Sequence, residues 1–264
     1  MIGLGSYSFF WEQSTINPTP LSLIGALEAT RAHGVSLFQI CDYAPLDTMT
    51  PDALALAARR AKDLGIRIQL GTKGLEPERL RRFLHLAEIF DTTLIRSMVT
   101  STEWTPTLAE AADALAQVGA DFERAGVTLA LETYEQVATD DLVSLVEKVG
   151  GEWLGICLDP ANVVARLERP RDCVELCANA VRNIHVKDFA FHRQAGFVGF
   201  TYAGERMGEG LHDYAHLRET VKPESRNIDE IVEHWVPWQG DLDTTIRLER
   251  DWTRSTLDYL RRMS

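Results

Sequence analysis

Apolar positions along the chain fall into two alternating patterns. Short, nearly continuous aliphatic or β-branched runs occupy eight segments: residues 2–8 (IGLGSYS), 35–41 (VSLFQIC), 66–70 (IRIQL), 93–99, 127–132 (VTLALE), 154–159, 183–188 and 245–249 (TIRLE). Continuous runs of this kind predict parallel strands buried on both faces. Between them apolar residues return every three or four positions. Examples are Leu54, Ala57, Ala58, Ala61 and Leu64, then Leu80, Phe83, Leu84 and Ala87, then Leu108 through Phe122. That spacing predicts amphipathic helices. Thr50 before Pro51 reads as a helix start, and Gly65 and Gly126 stand where helices should end in a left-handed turn.

A strand followed by a helix needs about 30 residues. Eight such units predict an α/β fold, a closed (β/α)₈ TIM barrel, and residues 1–264 are expected to form that one domain. The rival open sheet carries a glycine-rich phosphate turn after its first strand. Here Gly3 and Gly5 lie inside the first run and no third glycine follows. The interval from Asp188 to Thr245 exceeds one unit. It predicts an extended loop after strand seven, on the face where such barrels place their sites, serving as a lid, a specificity loop or a contact with another subunit.

Polar residues interrupt the runs at informative places. Glu132, Asp159 and Glu249 end three of them, and His185 lies near the end of a fourth. In a closed barrel these four groups would converge at one side of the mouth. A buried carboxylate is costly unless paired or bound to a metal, and three of them with an imidazole call for a cation. Oxygen donors with one nitrogen suit Mn²⁺, Mg²⁺ or Co²⁺, and Zn²⁺ also fits. One divalent ion is therefore the expected cofactor.

The stretch 131–188 reads LETYEQVATDD…LGICLDPANV…NIHVKD, with GTKGL at 71–75 and MGEG at 207–210. It resembles the xylose isomerase-like TIM barrel superfamily, which includes sugar isomerases and epimerases and the apurinic-site endonucleases. The resemblance implies Glu132, Asp159, His185 and Glu249 as metal ligands, with Glu132 and Glu249 doubling as the catalytic acid/base pair. It also implies Asn162 at a position that supports the ligands or binds substrate, and places Lys187, itself a candidate substrate contact, in the His-x-Lys-Asp element. Lys73, Arg96 and Arg193 are further candidates for holding a carboxylate or phosphate. Departures are present: Thr133-Tyr134 follows Glu132, Gln39 stands where the family often has a glutamate, and Phe191 stands where ketose 3-epimerases have an arginine.

The expected reaction is isomerisation or epimerisation of a ketose or sugar derivative. A divalent ion chelating a ketone and its neighbouring hydroxyl acidifies the carbon between them and holds the enediolate. The alternative is a lyase on the same site, decarboxylating or dehydrating an oxidised sugar acid or related keto acid. It would need one proton donor instead of two.

Composition narrows the partners. The chain has 264 residues, 39 acidic and 27 basic, with formal net charge −12. That balance disfavours nucleic acid, and a lone strand-end histidine lacks the extra histidines of the family's three-zinc nucleases. No run is long enough to cross a membrane, and the first residues do not read as a leader. Four scattered cysteines without a Cys-x-x-Cys pair fit a cytoplasmic protein. The expected partner is a small sugar or sugar acid, and the resemblance adds an expectation of homo-oligomers.

Overall fold

The structure is a computed structural model that describes residues 1–194, 196 and 198–263. Seven strands come first: β1 (Ile2–Gly5), β2 (Leu37–Ile40), β3 (Arg67–Lys73), β4 (Leu94–Met98), β5 (Thr128–Glu132), β6 (Leu154–Leu158) and β7 (Val181–Val186). An antiparallel hairpin comes next, β8 (Asp188–Arg193) on β9 (Phe200–Glu205), before β10 (Asp229–Val232). β1 to β7 and β10 close a parallel barrel in the order β1-β10-β7-β6-β5-β4-β3-β2. It is the TIM barrel that the alternating runs predict. Around it lie α1 (Phe10–Gln13), α2 (Leu23–Ala32), α3 (Pro51–Asp63), α4 (Pro77–Phe90), α5 (Leu108–Ala116), α6 (Gly119–Ala125), α7 (Thr139–Val149), α8 (Pro170–Cys177), α9 (Tyr214–Val221) and α10 (Leu242–Met263).

Local chemistry explains the boundaries. Thr50 Oγ1 accepts the Ala53 N–H at 3.3 Å and Pro51 opens α3. Thr107 and Glu110 form a reciprocal capping box on α5. Gly126 takes φ 64°, turning the end of α6 straight into β5. β2, β4 and β6 are buried at every residue because helices cover their outer faces and side chains fill the lumen. Burial of each large apolar side chain contributes roughly 1.5–3 kcal/mol. All four cysteines are buried and free. No described helix is long and apolar enough to cross a membrane.

The last unit departs from expectation. Residues 245–249 are helical, inside α10, and the eighth barrel strand is β10. The buried positions of α10 explain this: Thr245, Glu249, Trp252, Thr253, Thr256, Leu257 and Leu260 return every three or four residues, a helical stripe. The long interval after strand seven therefore holds a complete helix and strand, α9 and β10. Its true excursion is the β8–β9 hairpin with the turn after it.

Asp188 anchors that excursion. Its carboxylate accepts the backbone N–H groups of Phe189 (2.8 Å), Gly208 (2.9 Å), Gly210 (3.0 Å) and His212 (2.9 Å). The HVKD and MGEG segments are thus two halves of one clasp. Gly210 is required in it, because a Cβ there would stand 2.3 Å from Asp188 Oδ1.

On β6 the pairing with β7 slips between Ile156 and Cys157, and a Cβ on Gly155 would meet Arg182 Cγ at 2.4 Å and the Ala180 carbonyl oxygen at 2.7 Å. Gly155→Ala is expected to lower stability by about 1–3 kcal/mol, read as a reduced urea midpoint with an unchanged slope.

Candidate metal centre

Four buried side chains meet at the C-terminal mouth of the barrel. Glu132 ends β5, Asp159 comes just after β6, His185 is the fifth residue of β7, and Glu233 comes just after β10. One donor atom from each lies within 4.8 Å of all the others. Parallel strands start from one end of the barrel, so residues at their far ends share one layer. His185 Nδ1 is 3.1 Å from Glu132 Oε1, 3.4 Å from Glu233 Oε2 and 3.6 Å from Asp159 Oδ2.

Two buried cations border the group. Lys187 Nζ lies 2.8 Å from Asp159 Oδ2 and 3.0 Å from Glu233 Oε2, and 4.5 Å over the Trp235 ring. Burial alone would lower the Lys187 pKa, but Asp159, Glu233 and Glu132 outweigh it and raise it well above the ordinary value. Burial opposes ionisation of Asp159, yet Lys187 and then His185 bring its pKa down. Arg96 pairs with Glu132 and lies 3.8 Å from Asp42, while its Nη1 donates to the Thr72 carbonyl at 3.0 Å. Asn162 donates to Glu132 Oε1 at 3.1 Å. Three carboxylates thus face two fixed positive charges and the His185 imidazole, whose pKa is raised well above the ordinary value despite its burial.

The donor set fits a divalent ion. Glu233 Oε1 is buried without a partner, and Glu132 Oε2 and Asp159 Oδ2 have only their ion pairs with Arg96 and Lys187. Ligand oxygens at about 2.0–2.2 Å from an ion stand no more than about 4.4 Å apart, the scale of this cluster. Three carboxylates and an imidazole suit Mg²⁺, Mn²⁺ or Zn²⁺.

The expected residues therefore separate. Glu132, Asp159, His185, Lys187, Asn162 and Arg96 come together. Glu249 does not: it lies on α10, where its two oxygens accept the backbone N–H groups of Trp11 (2.9 Å) and Glu12 (3.2 Å). Glu233 occupies the place foreseen for it. Lys73 is half exposed, 3.4 Å from Asp42, in a groove of about 850 Å³ shared with Arg79 and Arg82. Arg193 sits at the outer end of β8, its guanidinium 4.3 Å over Phe200. Five residues of extended strand put it about 16 Å from Asp188, so it is not brought to the cluster.

Glu233 had a signal in the chain, the short apolar pair Ile231-Val232 just before it. Two acidic residues, Asp229 and Glu230, obscured it. Gln39 is the other participant that sequence reasoning did not assign a role: its Oε1 is 2.8 Å from His185 Nε2.

A family model described as xylose isomerase-like TIM barrel matches residues 27–263. The chain belongs to the xylose isomerase-like TIM barrel family. Among relatives of this family member is a protein of Pectobacterium atrosepticum named 3-oxo-isoapionate decarboxylase. The two are 49% identical over 259 residues, 98% of this chain and 94% of the relative. Solved structures include D-psicose 3-epimerase from Clostridium cellulolyticum H10 with D-tagatose, with TM-score 0.74, 14% identity and coverage of 98% of both chains. A xylose isomerase-like TIM barrel protein from Mycobacterium smegmatis in complex with magnesium has TM-score 0.71 and 15% identity, covering 95% of this chain and 94% of that one. Identities this low establish a shared fold only.

Glu249 of this family member has its pKa pushed up to about 8 by burial, against the pull of the two N–H groups. Its folded form therefore holds a proton that the unfolded chain releases at its ordinary value of 4.5. Between those values the native state binds more protons, so stability falls as pH rises and levels off above about 8. Glu249→Gln is expected to remove that slope, measured as urea stability of both proteins across pH 5–9.

Proposed function

We propose that this protein decarboxylates a 3-oxo sugar acid, with 3-oxo-isoapionate as the lead substrate, at a divalent ion held by Glu132, Asp159, His185 and Glu233. The observation that carries the reading is the 49% identity to a named decarboxylase along nearly the whole of both chains. The ketose isomerase reading draws on fold likeness at 14% identity.

The geometry supports decarboxylation in its own way. Two-faced epimerisation needs one carboxylate to remove a carbon-bound proton and a second to return it. Here Glu132 is held by Arg96 and Asn162, and Glu233 by Lys187. Each carboxylate is thus engaged through at least one oxygen, an arrangement suited to holding an ion rather than to shuttling protons. Loss of CO₂ requires no base: the C–C bond electrons pass to the ketone oxygen, and one proton then returns to the carbon. When bound, the ion would polarise that ketone and stabilise the charge that develops on its oxygen.

The chain's own residues prepare this step. Lys187, kept protonated, holds Asp159 ionised and pairs with Glu233, and adds positive potential where the substrate carboxylate must arrive. Beside it Tyr7, Phe10, Tyr202, His234, Trp235 and Val236 line an apolar recess of about 310 Å³. An apolar wall excludes water and weakens the hold on a carboxylate that is about to become neutral CO₂.

With Mn²⁺, the protein is expected to release one CO₂ per 3-oxo-isoapionate and to incorporate one solvent deuterium in D₂O. Chelation with EDTA should abolish turnover and Mn²⁺ should restore it. Glu233→Gln should lower kcat/KM by about 100-fold or more through weakened metal binding, while Glu249→Gln at pH 7 stays near wild type. Deuterium exchange into D-psicose or D-fructose, with no CO₂ from the keto acid, would falsify the proposal.

A further inference from the structure

We infer that a buried amide relay, Asp229–Gln69–Gln39, sets the tautomer and ring orientation of His185, so that Nδ1 is its metal-binding nitrogen. The inference rests on the metal reading proposed for this site. It concerns residues in the barrel lumen that touch neither substrate nor ion, so Gln39 and Gln69 are positioning residues.

The relay starts at the end of the barrel opposite the mouth. Arg67 Nη2 lies 2.7 Å from both oxygens of Asp229, and a carboxylate paired in this way can only accept. Gln69 must therefore turn its amide nitrogen toward Asp229, and Nε2 donates to Oδ2 at 2.7 Å. That leaves Gln69 Oε1 facing the other way, where it accepts from Gln39 Nε2 at 3.1 Å and from Asn183 Nδ2 at 3.2 Å. Gln39 Nε2 gives its second proton to Asn183 Oδ1 at 3.0 Å. Asn183 completes the set by donating to the Asp229 carbonyl at 3.3 Å.

Both Gln39 N–H groups are then used, and its oxygen points to the mouth. There Oε1 lies 2.8 Å from His185 Nε2, which must be an N–H donor. In neutral imidazole the remaining nitrogen, Nδ1, carries the lone pair, and Nδ1 is the nitrogen that faces Glu132, Asp159 and Glu233.

No other amide assignment satisfies the network. Flipping Gln69 sets its oxygen against the Asp229 carboxylate. Flipping Gln39 sets its oxygen against two acceptors and its nitrogen against His185. Gln39, Gln69, Asn183 and His185 are each 1% exposed or less, so water cannot rescue either error. The network also accounts for the glutamine at position 39. A glutamate there would meet Gln69 Oε1 and Asn183 Oδ1 with a bare oxygen; glutamine supplies the two protons that they need.

Two measurements test the relay, with Zn²⁺ alone as the probe. In the Zn²⁺-loaded protein labelled with ¹⁵N-histidine, assigned by comparison with His185→Asn, the His185 ring should show a retained proton on Nε2 and none on Nδ1. Competition with a chelating dye should show Gln39→Leu binding Zn²⁺ about 10–100-fold more weakly than wild type, with circular dichroism unchanged. A His185 proton on Nδ1, or a folded Gln39→Leu with Zn²⁺ affinity within about twofold of wild type, overturns the relay while leaving the metal reading standing. Failure of wild type to bind Zn²⁺, Mg²⁺ or Mn²⁺ overturns both. If Gln39→Leu does not fold, the ring spectrum of wild type decides alone.

Discussion

The mouth of this barrel has to hold three carboxylates and an imidazole out of water. Parallel strand ends bring them together, and charge repulsion would drive them apart without compensation. The surrounding architecture answers that constraint. Lys187 bridges Asp159 and Glu233, Arg96 and Asn162 hold Glu132, and a divalent ion among the four donors would add to that compensation. The cations reach the site from strands that carry no ligand of the set, or from the residue two beyond one. The cluster is therefore as much a property of β4 and β7 as of the ligands themselves.

The same constraint shapes the excursion after β7. Lys187 must stay in place above two acidic residues, and its backbone is held by the segment after it. Asp188 gathers four backbone N–H groups of the hairpin and its return turn, and His212 Nδ1 lies 2.8 Å from the Lys187 carbonyl. The hairpin then presents Tyr202, whose hydroxyl donates to the Ala161 carbonyl at 2.7 Å, next to the loop that carries Asp159 and Asn162. A segment that reads along the chain as an irregular aromatic and glycine-rich loop is a clasp that roofs the cluster on one side.

Beneath the cluster the lumen is polar where most such interiors are packed with aliphatic side chains. Gln39, Gln69 and Asn183 form a closed set of donors and acceptors between Asp229 at one end and His185 at the other. Belonging to the xylose isomerase-like TIM barrel family explains a site at the mouth. It does not explain this layer, which connects an ion pair at the bottom of the barrel to the orientation of one ligand at the top.

The amino-acid sequence by itself determined the barrel and most of its centre. Runs buried on both faces alternate with helical stripes, and that periodicity needs no tertiary knowledge. Glu132, Asp159 and His185 stand out because each breaks an otherwise apolar strand at its end. Glu233 was hidden because β10 is four residues long and half acidic. Those acids are buried against partners: Arg67 and Gln69 on β3 and the N-terminal amine for Asp229, and Tyr214 and Arg218 on α9 for Glu230. Glu249 imitated a strand end because a buried glutamate inside an amphipathic helix interrupts apolar residues just as a ligand does. Its partners, the N–H groups of Trp11 and Glu12, lie at the opposite end of the chain. The tertiary structure alone decided which acid of the last unit joins the centre and which way the Gln39 amide points. Both depend on charges and hydrogen-bond partners supplied by elements far apart in sequence, which local periodicity does not encode.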